Sequence, residues 1–193
     1  MLHSTIKKGH NCIIGENVIL GDNVTLGHNC IIEDNVRIGH DSFIDSNTII
    51  RSNVSMGDKT FVGSNCIIGE YLMDFCLDRG VHVHPLAIGD NCLIRSGCVV
   101  YGDSIIGDNF QTGHNVTIRE KSVIGDNVSI GTLSDIQGSC KIGNYVRLHS
   151  NVHIGQLSEI DNCRSNRYES CATIFRYGRE SGKADFRCQN CKK

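Results

Sequence analysis

The sequence has no tryptophan and a single proline, and it has no surplus of charge of either sign. Its 19 Lys and Arg stand against 21 Asp and Glu, a net charge of -2 with neutral histidine. A chain so nearly neutral gives no electrostatic reason to expect nucleic acid as a ligand. It also lacks any uninterrupted apolar run of about eighteen residues, the length a membrane-spanning helix needs, and "MLHSTIKKGHN" lacks the apolar core of a secretory leader. The expectation is a cytoplasmic protein with neither membrane nor nucleic acid as partner. What is present, 39% hydrophobic residues and 21 glycines, suits a chain that buries a long core.

One rhythm organises the sequence. Ile, Leu, Val or Met recurs every sixth residue at Ile14, Leu20, Leu26, Ile32, Ile38, Ile44, Ile50, Met56, Val62 and Ile68, and again from Ile88 to Ile160. Two residues before each, a second slot holds mostly small side chains, such as Cys12, Val18, Val24, Cys30, Ser42 and Ser104. Glycine usually follows the aliphatic slot, with Asn close behind, as in "IGDNV". A period of six fits neither a helix nor plain strand alternation. It fits short strands joined by turns that Gly and Asn tolerate. This is the pattern of a hexapeptide-repeat parallel β-helix, an all-β fold. Three hexads make one triangular coil, so residues 18 apart stack, about 4.8 Å per coil by strand spacing. Counting Thr112 there are 10 hexads before residue 69 and 13 after it, and 23/3 lies between seven and eight coils. The β-helix is expected over 1–161, with an insertion at about 69–87 and a tail at 162–193.

Eleven cysteines suggest a disulfide framework at first sight, but Cys12, Cys30, Cys66, Cys92, Cys98 and Cys140 all fall in the small inward slot. There they act as buried small hydrophobes, and reduced thiols are expected. The insertion, "GEYLMDFCLDRGVHVHP", leaves two alternatives open: a loop of about fourteen extra residues leaving one corner, or an irregular coil carrying two extra residues. The choice decides which face every later residue occupies. His82 and His84 within it resemble a metal pair, but an exposed polar loop beside Pro85 is the simpler reading. Substrate contact by such a loop is a fair expectation.

The tail has no hexads. Residues 166, 172, 178, 184 and 190 are Asn, Ala, Gly, Ala and Asn, none able to stack on the column. Residues 161–193 carry eight basic against four acidic residues, +4, which leaves 11 minus 17, or -6, for residues 1–160. It is expected to cap the end near Ile160 with Phe175 and Phe186, leaving "CQNCKK" poorly ordered. Cys163, Cys171, Cys188 and Cys191 contain only one CxxC, a weak zinc signal.

The rhythm breaks in several slots at once in "NFQTGHNVTIREKSVIG", Asn109 to Gly125. Phe110 takes a small slot, Thr112 an aliphatic slot and Arg119 a glycine position. Such local inconsistencies are expected at functional sites. His114 lies in the turn, pointing outward. His10, His28 and His40 hold the same position in their hexads, so "GHN" alone is weak, and the company of Phe110, Gln111, Thr112 and Arg119 singles out His114.

Here the sequence resembles the hexapeptide-repeat acyltransferases with a left-handed parallel β-helix, over about residues 10 to 161, and "NFQTGHNVTIRE" looks like the branch that acetylates nucleotide-linked amino sugars. The left hand is implied by the resemblance, since the general crossover rule would give the right. In related lipid A acyltransferases and bacillosamine-type acetyltransferases a histidine four residues before the aliphatic slot is the general base, and His114 falls there. The resemblance implies transfer of an acetyl or other acyl group from acetyl-CoA to a sugar amine or hydroxyl. His114 would take the proton. The Thr132 N–H, 18 residues on, would hold the oxyanion, with Gly131 as the fallback. Gln111, Asn115, Arg119 and Glu120 would meet the substrate, and Ser150 and Asn151 the pantetheine. Family members are usually homotrimers with the site between neighbouring prisms, and no metal is expected. The chain departs from the family at its end, where "DNCRSNRYESC" replaces further coils and their Thr-Asn-Asp and Tyr-Pro loop. Two other classes remain: a catalytically silent assembly subunit, and a metal enzyme of the γ-carbonic anhydrase type, for which His114, His149 and His153 have approximate but not matching spacing.

Overall fold

The computed structural model describes residues 6–80 and 83–163. It contains twenty-four short strands, β1 (Lys7–Lys8) to β24 (Glu159–Ile160), and one helix, α1 (Met73–Leu77). Every third strand joins the same parallel sheet, which gives three eight-stranded faces. The first face runs from β1 to β22 (Arg147–Leu148), the second from β2 (Ile13–Ile14) to β23 (His153–Ile154), and the third from β3 (Ile19–Leu20) to β24. The result is eight coils of a left-handed parallel β-helix. Residues 18 apart pair, as in Ile13 with Ile31 and Gln111 with Ser129. The strand beyond the 23 hexads is Lys7–Lys8, whose slot residue is not aliphatic and so escaped the count.

The alternation of the strands sends the aliphatic slot into one continuous core, in which Ile32, Ile44, Ile50, Ile68, Ile94, Ile118 and Ile136 are fully buried. Each turn contains one residue in the left-handed region, most often Asn, as at Asn11 (φ 57°), Asn29 (55°) and Asn47 (59°). Asn reaches that conformation at lower cost than most residues. Here its side chain also bonds to the coil above: Asn11 Nδ2 donates to Asn29 Oδ1 (3.2 Å) and Asn29 Nδ2 to Asn47 Oδ1 (3.0 Å).

The small slot has a chemical reason besides size. Thr48 Oγ1 donates to the carbonyl of Gly63 (2.8 Å), Ser134 Oγ to that of His149 (3.1 Å), and the thiols of Cys12 and Cys140 to those of Gly27 (3.0 Å) and Gly155 (3.2 Å). A short side chain with one donor thus reaches the turn carbonyl of the next coil. The six inward cysteines are all free thiols. Burial pushes the Cys92 thiol up to about 11 and raises those of Cys30 and Cys140, so they remain protonated donors. Cys163 departs from the all-thiol expectation: it is disulfide-bonded.

The insertion leaves one corner and disturbs the ladder at its root, where the register of β11 (Ile67–Glu70) against β14 (Val99–Tyr101) shifts between Ile68 and Glu70. Between β9 (Val54–Met56) and β12 (Leu86–Ile88), Leu86 pairs with Val54, 32 residues apart, and 32 minus 18 gives fourteen extra residues. The spacing of 18 returns immediately, with Ala87 opposite Ile105. The inserted segment is held at two points. Tyr71 lies under the Arg51 guanidinium (4.2 Å) and stacks on Phe75 (4.0 Å), while Arg51 pairs with Glu33 (2.7 Å). His84 bonds Asp103 Oδ2 through Nδ1 (2.9 Å) and Asp74 Oδ2 through Nε2 (2.7 Å). Its side chain is only 17% exposed, so the expected exposed polar loop is corrected at this residue: His84 is a tie between the insertion and the fifth coil. His82 lies outside the described residues, as do Phe175, Phe186, Cys171, Cys188 and Cys191. Among the described residues no helix is long and apolar enough to cross a membrane, and no three His, Cys, Asp or Glu side chains group as metal ligands.

Phe110 and Thr112 exchange the usual sizes of their slots. The Phe110 ring is fully buried and Thr112 is 4% exposed. A large side chain in the small slot offsets a small one in the large slot, which conserves volume. Phe110→Ala should therefore open a core cavity and lower stability by about 3–5 kcal/mol. The readout is the denaturant midpoint, with the far-UV spectrum retained, and an unchanged midpoint would contradict this packing role.

Candidate functional site

The corner between the first and second faces stacks His10, His28, Ser46, Ser64, Ser96, His114, Thr132 and Ser150 in one column. The histidines in equivalent turn positions differ in what their rings do. The His28 ring accepts the His10 N–H at Nδ1 (3.0 Å) and stacks on the His10 ring (5.3 Å between centroids). At another corner the His40 ring accepts the Asp22 N–H (2.9 Å). The His114 ring makes no hydrogen bond among the described residues, and the residue is exposed. Its backbone is fixed instead: its N–H donates to Thr132 Oγ1 (3.2 Å) and its carbonyl accepts the Leu133 N–H (2.9 Å).

Directly above, two backbone amides were candidate oxyanion donors. The Gly131 N–H donates to the Leu148 carbonyl (2.9 Å) and is spoken for by the sheet. The Thr132 N–H has no partner among the described residues. The free imidazole and the free amide are thus neighbours in adjacent coils. Leu133 follows with φ 59° and 60% of its surface exposed, where most coils place Asn. A leucine in the left-handed region is strained, and such strain clusters at functional sites. Ser150 and Asn151 stack one coil higher, with the Asn151 N–H on the Thr132 carbonyl (2.8 Å).

Beside this column, on the first face, lies a groove of about 200 Å³. It is lined by Gln111, Ser129 and Arg147 from the strands and by Arg95, Gly113, Gly131 and His149 from the turn position that follows them. Thr112 shapes it. The Thr112 hydroxyl accepts the Arg95 N–H (2.9 Å), a donor that the main-chain carbonyl takes in regular coils, as Ile94 O takes Gly63 N–H (2.7 Å). Pairing of β13 (Leu93–Ile94) with β16 (Gln111–Thr112) is accordingly reduced to Leu93 with Gln111. The interrupted rhythm at 110–112 therefore loosens the ladder beside Arg95.

Not every residue singled out by sequence comes together here. Arg119 and Glu120 sit on the next corner, beyond β17 (Thr117–Ile118), and bond to each other (Nε to Oε2 2.9 Å, Nη2 to Oε1 3.1 Å) while Arg119 faces the Tyr101 ring (5.1 Å). Burial pushes the Glu120 carboxyl up, but the bonds and charge of Arg119 outweigh it and hold the group below its ordinary value. His153 bonds Asp135 (3.0 Å) on the second face. Asn115 occupies the turn after His114 (φ 53°), its amide filling the space a side chain on Gly97 would need. Arg95 was missed, although it replaces the glycine after an aliphatic slot just as Arg119 does. Arg147 is an ordinary outward strand residue and gave no signal.

Two family models match. Residues 11–44 and 121–156 match the bacterial transferase hexapeptide (six repeats), and residues 38–133 match the GMPPB C-terminal domain. The chain belongs to the hexapeptide-repeat proteins. Among solved structures it is similar to the UDP-N-acetylglucosamine O-acyltransferase of Moraxella catarrhalis, with a TM-score of 0.73 and 27% identity over 78% of this chain and 61% of that one. The Francisella novicida UDP-N-acetylglucosamine acyltransferase superposes with a TM-score of 0.72 at 24% identity, over 82% of this chain and 58% of that one. The chain thus spans less than two thirds of either enzyme. No curated protein matches it.

Leu133→Asn tests the strain at the corner. Asn should relieve roughly 1 kcal/mol of left-handed strain and raise the melting temperature, and a lowered melting temperature would show that the leucine is held by contacts worth more than its strain.

Proposed function

We propose that the chain is an acyltransferase that moves an acyl group from a thioester, with acetyl-CoA as the expected donor, to an amino or hydroxyl group of a nucleotide-linked sugar. The observation that carries this reading is the unbonded His114 ring one coil below the unpartnered Thr132 N–H. The match to a transferase repeat and the likeness to a UDP-N-acetylglucosamine O-acyltransferase support it. In the reaction the neutral His114 imidazole accepts the proton of the acceptor amine or hydroxyl as that atom attacks the thioester carbonyl carbon. Negative charge gathers on the carbonyl oxygen, where the Thr132 N–H donates. Collapse breaks the carbon–sulfur bond, and the imidazolium returns its proton to the leaving thiolate. Ser150 and Asn151, stacked above, are the residues for the pantetheine, and Gln111 and Asn115 flank the base for the acceptor.

A second reading has its own observation. Residues 38–133, which include His114, match a model described as the C-terminal domain of GMPPB, and that description names no transfer reaction. A silent assembly domain would release no thiol from any donor.

The deciding assay offers acetyl-CoA with a panel of nucleotide-linked amino sugars and measures free thiol. His114→Ala should lower turnover by roughly two to four orders of magnitude, the usual weight of a general base, with the fold retained. His28→Ala should leave turnover unchanged. Equal activity in wild type and His114→Ala removes the histidine from the mechanism, and thiol release with no member of the panel favours the assembly reading.

A homotrimer is part of the proposal. The second face presents Ile13, Ile31, Ile49, Ile67 and Val99 outward, with Ile13 62% exposed, and it borders the His114 corner. A contiguous apolar strip of this kind marks a protein interface, and a second copy seated there would wall the site. Light scattering should report a trimer, and Ile49→Lys should dissociate it. A stable, active monomer contradicts the shared site.

A further inference from the structure

We infer that the groove on the first face is a diphosphate subsite, with Arg95 and Arg147 as its cationic pair. The inference rests on the reading of His114 and Thr132 as the reacting centre, because it assigns the part of a substrate that lies beside them. Gly113 and Gly131, which line the groove, are the residues that immediately precede His114 and Thr132.

Charge sets this groove apart. Arg95 and Arg147 both line the groove, and no Asp or Glu does. Residues 1–160 carry a net -6, from 11 basic and 17 acidic side chains, so a wall with two guanidiniums and no carboxylate runs against the composition around it. So does the pairing of its arginines. Arg51 and Arg119 hold the same turn position as Arg95 in their own coils, and each is held by a glutamate, Glu33 at 2.7 Å and Glu120 at 2.9 Å. Among the described residues neither Arg95 nor Arg147 has an ion pair or a side-chain hydrogen bond. The two guanidiniums are left for something that is not part of this fold.

The size of the groove and its remaining donors also suit an anion. Gln111, Ser129 and Ser150 add an amide and two hydroxyls, and His149 an imidazole. A guanidinium presents a planar fork of N–H donors that matches phosphate oxygens two at a time. At about 200 Å³ the groove holds a diphosphate and leaves the rest of a nucleotide outside. Finally, Thr112 breaks the regular pairing of the ladder at Arg95 itself. The irregularity in the sequence and the unpaired cation coincide.

A diphosphate occurs both in a nucleotide-linked sugar and in coenzyme A, so the test has three arms. Calorimetry on the full chain is run with inorganic pyrophosphate, with a nucleoside diphosphate and with coenzyme A, on wild type, Arg95→Ala, Arg147→Ala and His114→Ala. Pyrophosphate should bind wild type, and each arginine variant should lose roughly tenfold to a hundredfold in affinity, the weight of a charge-assisted hydrogen bond. His114→Ala should bind pyrophosphate as wild type does. Whichever of the two larger ligands shows the same dependence on both arginines is the source of the diphosphate. Failure of pyrophosphate to bind, equal binding to the Arg95→Ala/Arg147→Ala double variant with its melting temperature unchanged, or arginine-dependent binding of pyrophosphate but of neither larger ligand would overturn the inference. Arginine-dependent binding of a larger ligand without any thiol release would sustain the subsite and contradict the acyltransferase reading instead.

Discussion

The structure depends on hydrogen bonds that run from each coil to the next, between strands whose residues pair 18 apart. The Ile13 N–H meets the Cys30 carbonyl at 2.9 Å, the Gly15 N–H meets Ile32 at 2.7 Å, and the pattern repeats to Gly143 on Ile160 at 2.7 Å. A main chain cannot leave buried polar groups unpaired, so every coil must match the length of its neighbours. This constraint selects the sequence. Aliphatics fill the column, left-handed turn residues close the corners, and short donors in the inward slot bond the turn carbonyls above. It also explains why fourteen residues can be added at one corner with the register shifted only at Ile68 to Glu70 and regular in the coils beyond. Each coil touches only its neighbours, so a disturbance is confined to where it occurs, as in other repeat architectures.

Such a lattice makes function visible as a local departure from regularity. In the sixth coil the Thr112 hydroxyl takes a main-chain donor, Phe110 fills the volume that Thr112 gives up, and the His114 ring escapes the backbone bonds that tie His28 and His40. One coil higher, the Thr132 N–H has no partner among the described residues, as is true of Ser64 and Ser96 in the same column, and Leu133 adopts a conformation better suited to Asn. None of these features improves the stack. Together they put an acceptor and a donor for protons side by side on an exposed edge.

The fold was legible because burial and turn geometry act with a strict period, and a period survives in the sequence. Even the register was recoverable: Thr132 and Ser150 do stack on His114 because 18-residue spacing is a geometric rule. What could not be read were properties without a period. The tie from His84 to Asp74 and Asp103 joins a loop to a neighbouring coil, and no spacing encodes it. Arg119 and Glu120 are close to His114 in sequence, yet a prism turns through a whole face in between, so the two bond to each other instead. Arg147 sits far along the chain and reaches the groove only because three coils of strands place it there. The free amide of Thr132 against the bonded one of Gly131 is a matter of single hydrogen bonds, below anything composition records.

The claim at the centre of this account is that chemistry occurs at the His114 and Thr132 corner. A crystal structure of the protein with a nucleotide-linked amino sugar and coenzyme A would test it most directly. The account predicts the acceptor atom of the sugar within hydrogen-bonding distance of the His114 ring and the thiol end of the cofactor beside the Thr132 N–H. Ordered ligands at the Arg119 and Glu120 corner, with the His114 corner empty, would contradict it.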